Sequence, residues 1–182
     1  MIAPLFDRDR EVIQLHFGGG TPNFLSPTQL RCSVEMLKRH FKFSGAADRD
    51  ISIELDPRTV SPQDIAELAL AGFNRASLGV QDFDPAVQEA VNRIQGIEQT
   101  RAVIEACRTH GFRSVNVDLI YGLPKQSLAG FARTLETVIA MRPDRLAVYS
   151  YAHLPDMFKA QRQLDATALP DAETKLALLQ LA

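Results

Sequence analysis

Five short apolar runs, each ending in a polar or glycine-rich tip, recur along this chain at a regular interval. Val12-Ile13-Gln14-Leu15-His16-Phe17 runs into Gly18-Gly19-Gly20-Thr21-Pro22, and Ile51-Ser52-Ile53 into Glu54-Leu55-Asp56-Pro57. Ala76-Ser77-Leu78-Gly79-Val80 runs into Gln81-Asp82, and Val115-Asn116-Val117 into Asp118-Leu119-Ile120-Tyr121-Gly122-Leu123-Pro124. Leu146-Ala147-Val148-Tyr149 ends in Ser150-Tyr151-Ala152-His153. Stretches of helical periodicity lie between them. Strands that are apolar on consecutive positions are those covered on both faces, and strand–helix alternation with short loops makes the strands parallel. An α/β chain of about five parallel strands with outer helices follows. Ligands of such folds sit at the C-terminal ends of the strands, so the tips form one candidate site.

The intervening helices carry their own start and stop signals. Ser26-Pro27-Thr28-Gln29 places a capping serine before a first-turn proline, with glutamine three residues after the serine. Leu30, Val34, Leu37 and Phe41 follow at helix spacing. Ser61-Pro62-Gln63-Asp64 repeats the signal, and Ile65, Leu68 and Ala69 supply the stripe. Gly72-Phe73 and Gly111-Phe112 read as left-handed helix ends, each followed by an apolar residue. Further helices are expected from Asp84-Pro85 to about 91, over 97–110, over 128–141 ahead of Pro143, and over 171–182.

At 182 residues the chain supports one substantial core, so residues 1–182 are expected to form a single domain. A closed eight-stranded barrel takes about 250 residues, so five units make an open partial barrel or part of a larger protein. A net charge of −2 gives no reason to expect nucleic acid or an anionic membrane as partner. No apolar run approaches the roughly 20 residues that span a bilayer, and the first residues lack a secretory pattern. A cytoplasmic setting is the expectation. Cys32 and Cys107 lie far apart in sequence, both within expected helices. They read as small buried hydrophobes, with no metal or disulfide framework between them.

The tips differ in what they offer. The three glycines let backbone N–H groups approach a carboxylate, an amine or a phosphate, or they simply form a tight turn. Glu54, Gln81 and Asp118 at strand ends, with Arg93, suit a ribose diol, an amine, a metal or a carboxylate. A rim salt bridge between Arg93 and one of the acids is the plainer alternative. Tyr121, Tyr149 and Tyr151 read first as core residues with a wet hydroxyl. His16 and His153 are acid–base candidates, although His16 lies within a strand and suits plain packing. His40 and His110 stand near helix C-termini, where a cation suits the helix dipole.

Four stretches carry a family resemblance. They are Leu15 to Leu25 around the glycine loop, Ile51 to Arg58, Phe73 to Phe83, and Asn116 to Gln126. In collinear order they resemble the oxygen-independent coproporphyrinogen III oxidases, radical SAM enzymes of haem biosynthesis. The resemblance implies a partial (β/α)6 barrel with S-adenosylmethionine lying across the strand ends over a [4Fe–4S] cluster. It implies that Gly19, Gly20 and Thr21 meet the methionine part, with Glu54 and Arg93 as polar partners. Gln81 and Asp118 would hold the ribose hydroxyls, and Ile120 and Ala152 would line the adenine pocket. The implied reaction is oxidative decarboxylation of coproporphyrinogen III propionates to vinyls, with an electron donor and an acceptor as partners.

A haem-chaperone-like branch shares the glycine loop and the G-V-Q and D-L-I-Y-G-L-P motifs. It usually carries E-x-N-P, where this chain has Glu54-Leu55-Asp56-Pro57. Tyr151 through Arg162 also looks like the oxidase branch. One departure is plain: the family's C-x-x-x-C-x-x-C motif does not occur in these residues. The family's C-terminal domain is missing from them too. The chain reads as an incomplete radical SAM core, strands two to six of a longer enzyme, and is expected to be inactive alone. Its first full strand would then be an exposed edge, with poor solubility or self-association. A fragment of the chaperone-like branch and a non-catalytic small-molecule-binding half-barrel are the other readings.

Overall fold

The computed structural model describes residues 7, 9–46 and 49–182. In chain order the elements are β1 (Glu11–Val12), β2 (Gln14–Phe17), α1 (Pro27–His40), β3 (Lys42–Phe43), β4 (Asp50–Leu55), α2 (Pro62–Ala71) and β5 (Arg75–Gln81). Then come α3 (Pro85–Ala90), α4 (Ile97–Thr109), β6 (Ser114–Tyr121), α5 (Leu128–Ala140), β7 (Arg145–Ser150) and α6 (Ala172–Leu181). A five-stranded sheet has the order β2-β4-β5-β6-β7, and the pairs β2–β4, β4–β5 and β6–β7 are parallel. The alternation read from the sequence is therefore an α/β sheet whose strands carry the expected tips.

Two compact units divide the chain. The first runs up to Leu78 and includes Ala102–Val115. Its core is Ile51, Ile53 and Leu55 on β4, Leu30 and Val34 on α1, Ile65 and Leu68 on α2, and Val103, Ile104 and Cys107 on α4. Phe17 meets Phe73 edge-on, ring centroids 5.3 Å apart. The second unit holds Gly79–Arg101 and Asn116–Ala182. There Val117 and Leu119 of β6, Phe131, Leu135 and Val138 of α5 and Leu178 of α6 are buried, and α6 packs on α5.

Helix boundaries follow the capping chemistry. Ser26 accepts the Gln29 N–H while the Gln29 side chain accepts the Ser26 N–H, closing a capping box on α1. Ser61 and Asp64 do the same for α2. Gly72 ends α2 at φ +103°, a left-handed value that a side chain resists.

Several expectations are corrected. Cys32 is exposed, whereas Cys107 is buried. Leu30 and Val34 define the buried stripe of α1, and Cys32 points about 200° round the helix from Leu30. Tyr149 is 57% exposed rather than a core residue, because β7 is the last strand in the sheet order and its burial is incomplete along its length. A small parallel pair, Glu11–Lys42 and Val12–Phe43, adds a second sheet that periodicity did not announce. Two-residue strands have no period to read. The Lys42 ammonium stands 3.2 Å from the Glu11 carboxylate, and a Ser44 hydrogen bond, then Lys42, holds that carboxyl below its usual pKa.

Candidate functional site

In the first unit the site begins where β2 stops. A Cβ on Gly18 would strike the His16 ring and stand 2.8 Å from Glu54 Oε1, so a side chain there would displace the His16 and Glu54 side chains. Gly19 and Gly20 adopt φ of +78° and +61°, and a Cβ on either would meet nothing within 4 Å. The loop therefore curves left-handedly with open space on its outer side. Asn23 fastens it from behind. Its Oδ1 accepts the Asp56 N–H at 2.9 Å, and its Nδ2 donates to the Asp56 carbonyl at 3.2 Å and to Thr59 Oγ1 at 2.8 Å.

The parallel register of β2 and β4 pairs His16 with Ser52. Glu54, two residues further on, shares the Ser52 face of β4. One ring nitrogen of His16 lies 2.8 Å from Ser52 Oγ, and the other 3.2 Å from Glu54 Oε1. Glu54 Oε2 accepts the Gly19 N–H at 3.1 Å. The structure thus brings Glu54 and Gly19 together, as two of the expected contacts. His16 is exposed and joined to Glu54, which rules out plain packing.

The second unit supplies the remaining candidates. Gln81, the last residue of β5, has φ +70°, and the Asp82 N–H donates across it to the Val80 carbonyl at 2.9 Å. Arg93 donates to the Gly79 carbonyl at 2.7 Å, which ties the loop after α3 to β5 just before Gln81. Asp118 accepts from Asn116 Nδ2 at 2.6 Å, its neighbour on the same face of β6. The Ile120 carbonyl accepts from Gln126 Nε2 at 2.9 Å. Ala152 is exposed beyond β7, with its carbonyl bonded to Gln161 Nε2 at 3.0 Å. Tyr151 OH lies 3.2 Å from His153 Nδ1, and burial raises the pKa of that phenol.

Sequence reasoning missed the groups that hold these tips. The Asp82 carboxylate, 2% exposed, meets Thr134 and Gln126. Lys175 reaches from α6 to the Tyr151 carbonyl at 2.6 Å, and its methylenes pack where a Cβ on Gly122 would lie. Thr134 gives one signal that sequence offers: a polar residue on the stripe of Phe131, Leu135 and Val138. Among the arginines, Arg58 chelates Asp56 and Arg75 pairs with Asp50 at 2.7 Å. Arg75 and Arg145 open their strands, and so stand at the end opposite the tips. Among the described residues no cluster of three or more His, Cys, Asp or Glu is arranged to hold a metal ion. No helix among them is long and apolar enough to cross a membrane.

Comparison with known proteins bears on this arrangement. Residues 2–138 match the family described as the radical SAM superfamily. The oxygen-independent coproporphyrinogen III oxidase of Pseudomonas aeruginosa is 53% identical over 180 residues, 99% of this chain and 39% of its own. The solved coproporphyrinogen III oxidase of Escherichia coli, described as a radical SAM enzyme, superposes with a TM-score of 0.93 at 48% identity, covering 98% of this chain and 40% of that one. A radical S-adenosylmethionine methyltransferase from Kitasatospora setae shares the fold alone, at TM-score 0.61 and 15% identity over 78% of this chain and 28% of its own. The chain therefore spans about 39% of the length of the curated relative it matches.

Proposed function

The chain belongs to the radical SAM superfamily, and on that premise we propose that it forms part of an oxygen-independent coproporphyrinogen III oxidase. The observation that carries this is the superposition on the Escherichia coli enzyme across 98% of the chain. The substrate is coproporphyrinogen III. Two of its propionate side chains are converted in turn, each losing carbon dioxide, a proton and two electrons to become a vinyl, so an electron acceptor takes part as well as a donor. The cytoplasm is the proposed setting.

On this reading Gly19, Gly20 and Thr21 meet the methionine end of S-adenosylmethionine, with Glu54 and Arg93 beside it. Gln81 and Asp118 take the ribose hydroxyls, and Ile120 and Ala152 flank the adenine. The chain's own groups fit those roles. A left-handed glycine backbone with open space outside admits a zwitterion closely. Glu54, anchored by the Gly19 N–H, offers negative charge to an ammonium. Asp118 offers carboxylate oxygen to a diol. Bound S-adenosylmethionine supplies the radical chemistry, while the protein binds, orients and keeps water away.

The cluster does not fit the thiols present. Three thiolates at close spacing are needed. Cys32 is exposed on α1, and burial pushes the Cys107 thiol up to about 12, which keeps it protonated. These two side chains hold no iron.

The test has two steps. Calorimetric titration of the chain with S-adenosylmethionine should show binding that Asp118→Ala weakens at least tenfold. A protein carrying this sequence at the full length of its relatives should then release 5′-deoxyadenosine and carbon dioxide from coproporphyrinogen III, anaerobically and with a reductant. Absence of 5′-deoxyadenosine overturns the reading. Haem binding without decarboxylation replaces it with the chaperone-like one.

A further inference from the structure

Gln81 is held in a conformation that glutamine resists. A hydrogen bond from residue i+2 to residue i, closed around a central φ of +70°, is the rare and strained form of γ-turn. Glycine would take that backbone freely. Strain of this kind persists only where the surroundings over-determine it, and it collects at functional positions.

The surroundings here converge on Asp82. Its Oδ1 accepts from Thr134 Oγ1 at 2.5 Å and from the Asp84 N–H at 2.8 Å. Its Oδ2 accepts from Gln126 Nε2 at 2.6 Å. The Asp82 carbonyl accepts from Gln88 Nε2 at 3.0 Å, and the Phe83 N–H donates to Thr134 Oγ1 at 3.1 Å. Gln126 in turn accepts the Gly122 N–H at 2.6 Å and donates to the Ile120 carbonyl. One buried carboxylate thus fastens the end of β5 to the loop that follows β6.

A plain turn would not need a charge in this place. Burying a carboxylate is costly unless every oxygen is bonded, and bonds to a charged acceptor are stronger and more directional than neutral ones. We infer that Asp82 is a positioning residue: through Thr134 and Gln126 it holds Gln81 in the strained turn, so that the Gln81 side chain is set for the ribose before ligand arrives. The ligand's identity rests on the S-adenosylmethionine reading above; the restraint on Gln81 rests on the hydrogen bonds alone.

Asp82→Asn keeps the shape of the side chain but sets an amide N–H₂ against that of Gln126. Amide hydrogen exchange without ligand should quicken at least tenfold at position 82 and at Phe83 in this variant, with the amides of α2 unchanged. Unchanged exchange at position 82 overturns the inference. Should Asp82→Asn fail to fold, Thr134→Val takes its place: it should quicken exchange at the same amides, and Thr134→Ser should restore protection. Both Thr134 substitutions behaving alike overturns the inference too.

The second measurement is calorimetric titration with S-adenosylhomocysteine. Asp82→Asn should raise the Kd at least tenfold in the otherwise native chain, and less than threefold in a Gln81→Ala background, because it acts through Gln81. Equal factors in both backgrounds would make Asp82 merely structural and overturn the inference. If the native chain binds no S-adenosylhomocysteine, the ligand assignment fails, and hydrogen exchange alone decides whether Asp82 restrains Gln81.

Discussion

Glu54 divides its two oxygens between unlike partners, a histidine ring on one side and a backbone N–H on the other. Glu54→Gln can keep the Gly19 bond while losing the charge. We expect S-adenosylmethionine affinity to fall about tenfold, or about 1.4 kcal/mol, by calorimetry. Stability should change by less than about 0.5 kcal/mol in urea, since His16 and Glu54 side chains are 56% and 43% exposed. The two thiols make a second pair of opposites. In native buffer a thiol reagent should label Cys32 alone, and both cysteines only once the chain is unfolded, as peptide mass mapping would show. Burial raises the Cys107 pKa from 9.0 to about 12, so unfolding releases a proton in that interval. Stability should therefore fall by about 1.4 kcal/mol per pH unit between about 9 and 12. Cys107→Ala should lack that component. At this scale the sequence names the tip residues, because strand ends are legible. It does not show that His16 is exposed beside Glu54, which depends on the register between two strands far apart in the chain.

The helices are where local chemistry speaks most directly. Ser61 Oγ accepts the Asp64 N–H at 3.2 Å and donates to Asp64 Oδ2 at 2.8 Å. Ser61→Ala removes both and should cost about 1 kcal/mol in denaturant unfolding. Hydrogen exchange should quicken first at the N-terminal turn of α2. The same box opens α1, and both are readable because cap and partner lie three residues apart. The β1–β3 pair has no such local signal. Nor has the Asp82 network, whose partners Gln126 and Thr134 stand 44 and 52 positions away. Buried hydrogen bonds at that separation leave only indirect traces, such as a threonine on an apolar helix stripe.

For the molecule as a whole, strand order decides which surfaces stay unsatisfied. β2 ends the sheet order, so one of its edges has no partner strand among the described residues, and Ile13 beside it is 61% exposed. An uncovered edge with apolar neighbours templates pairing with another chain. Sedimentation equilibrium should show self-association that strengthens with concentration, and Ile13→Lys should weaken it at least threefold. A strict monomer at all concentrations would contradict this. The α/β class and the order of the five strands of the main sheet were legible, since both follow from periodicity.

The Asn23 side chain behaves as one more peptide group, giving to and taking from the Asp56 backbone in the manner of a sheet rung. The glycine loop in front of it is thereby carried on β4 instead of moving by itself. Three free glycines would each surrender about 1–2 kcal/mol of conformational entropy on being ordered. With the rear of the loop already fixed, most of that loss falls at the moment of folding, and an arriving ligand meets a surface whose disorder has been removed in advance.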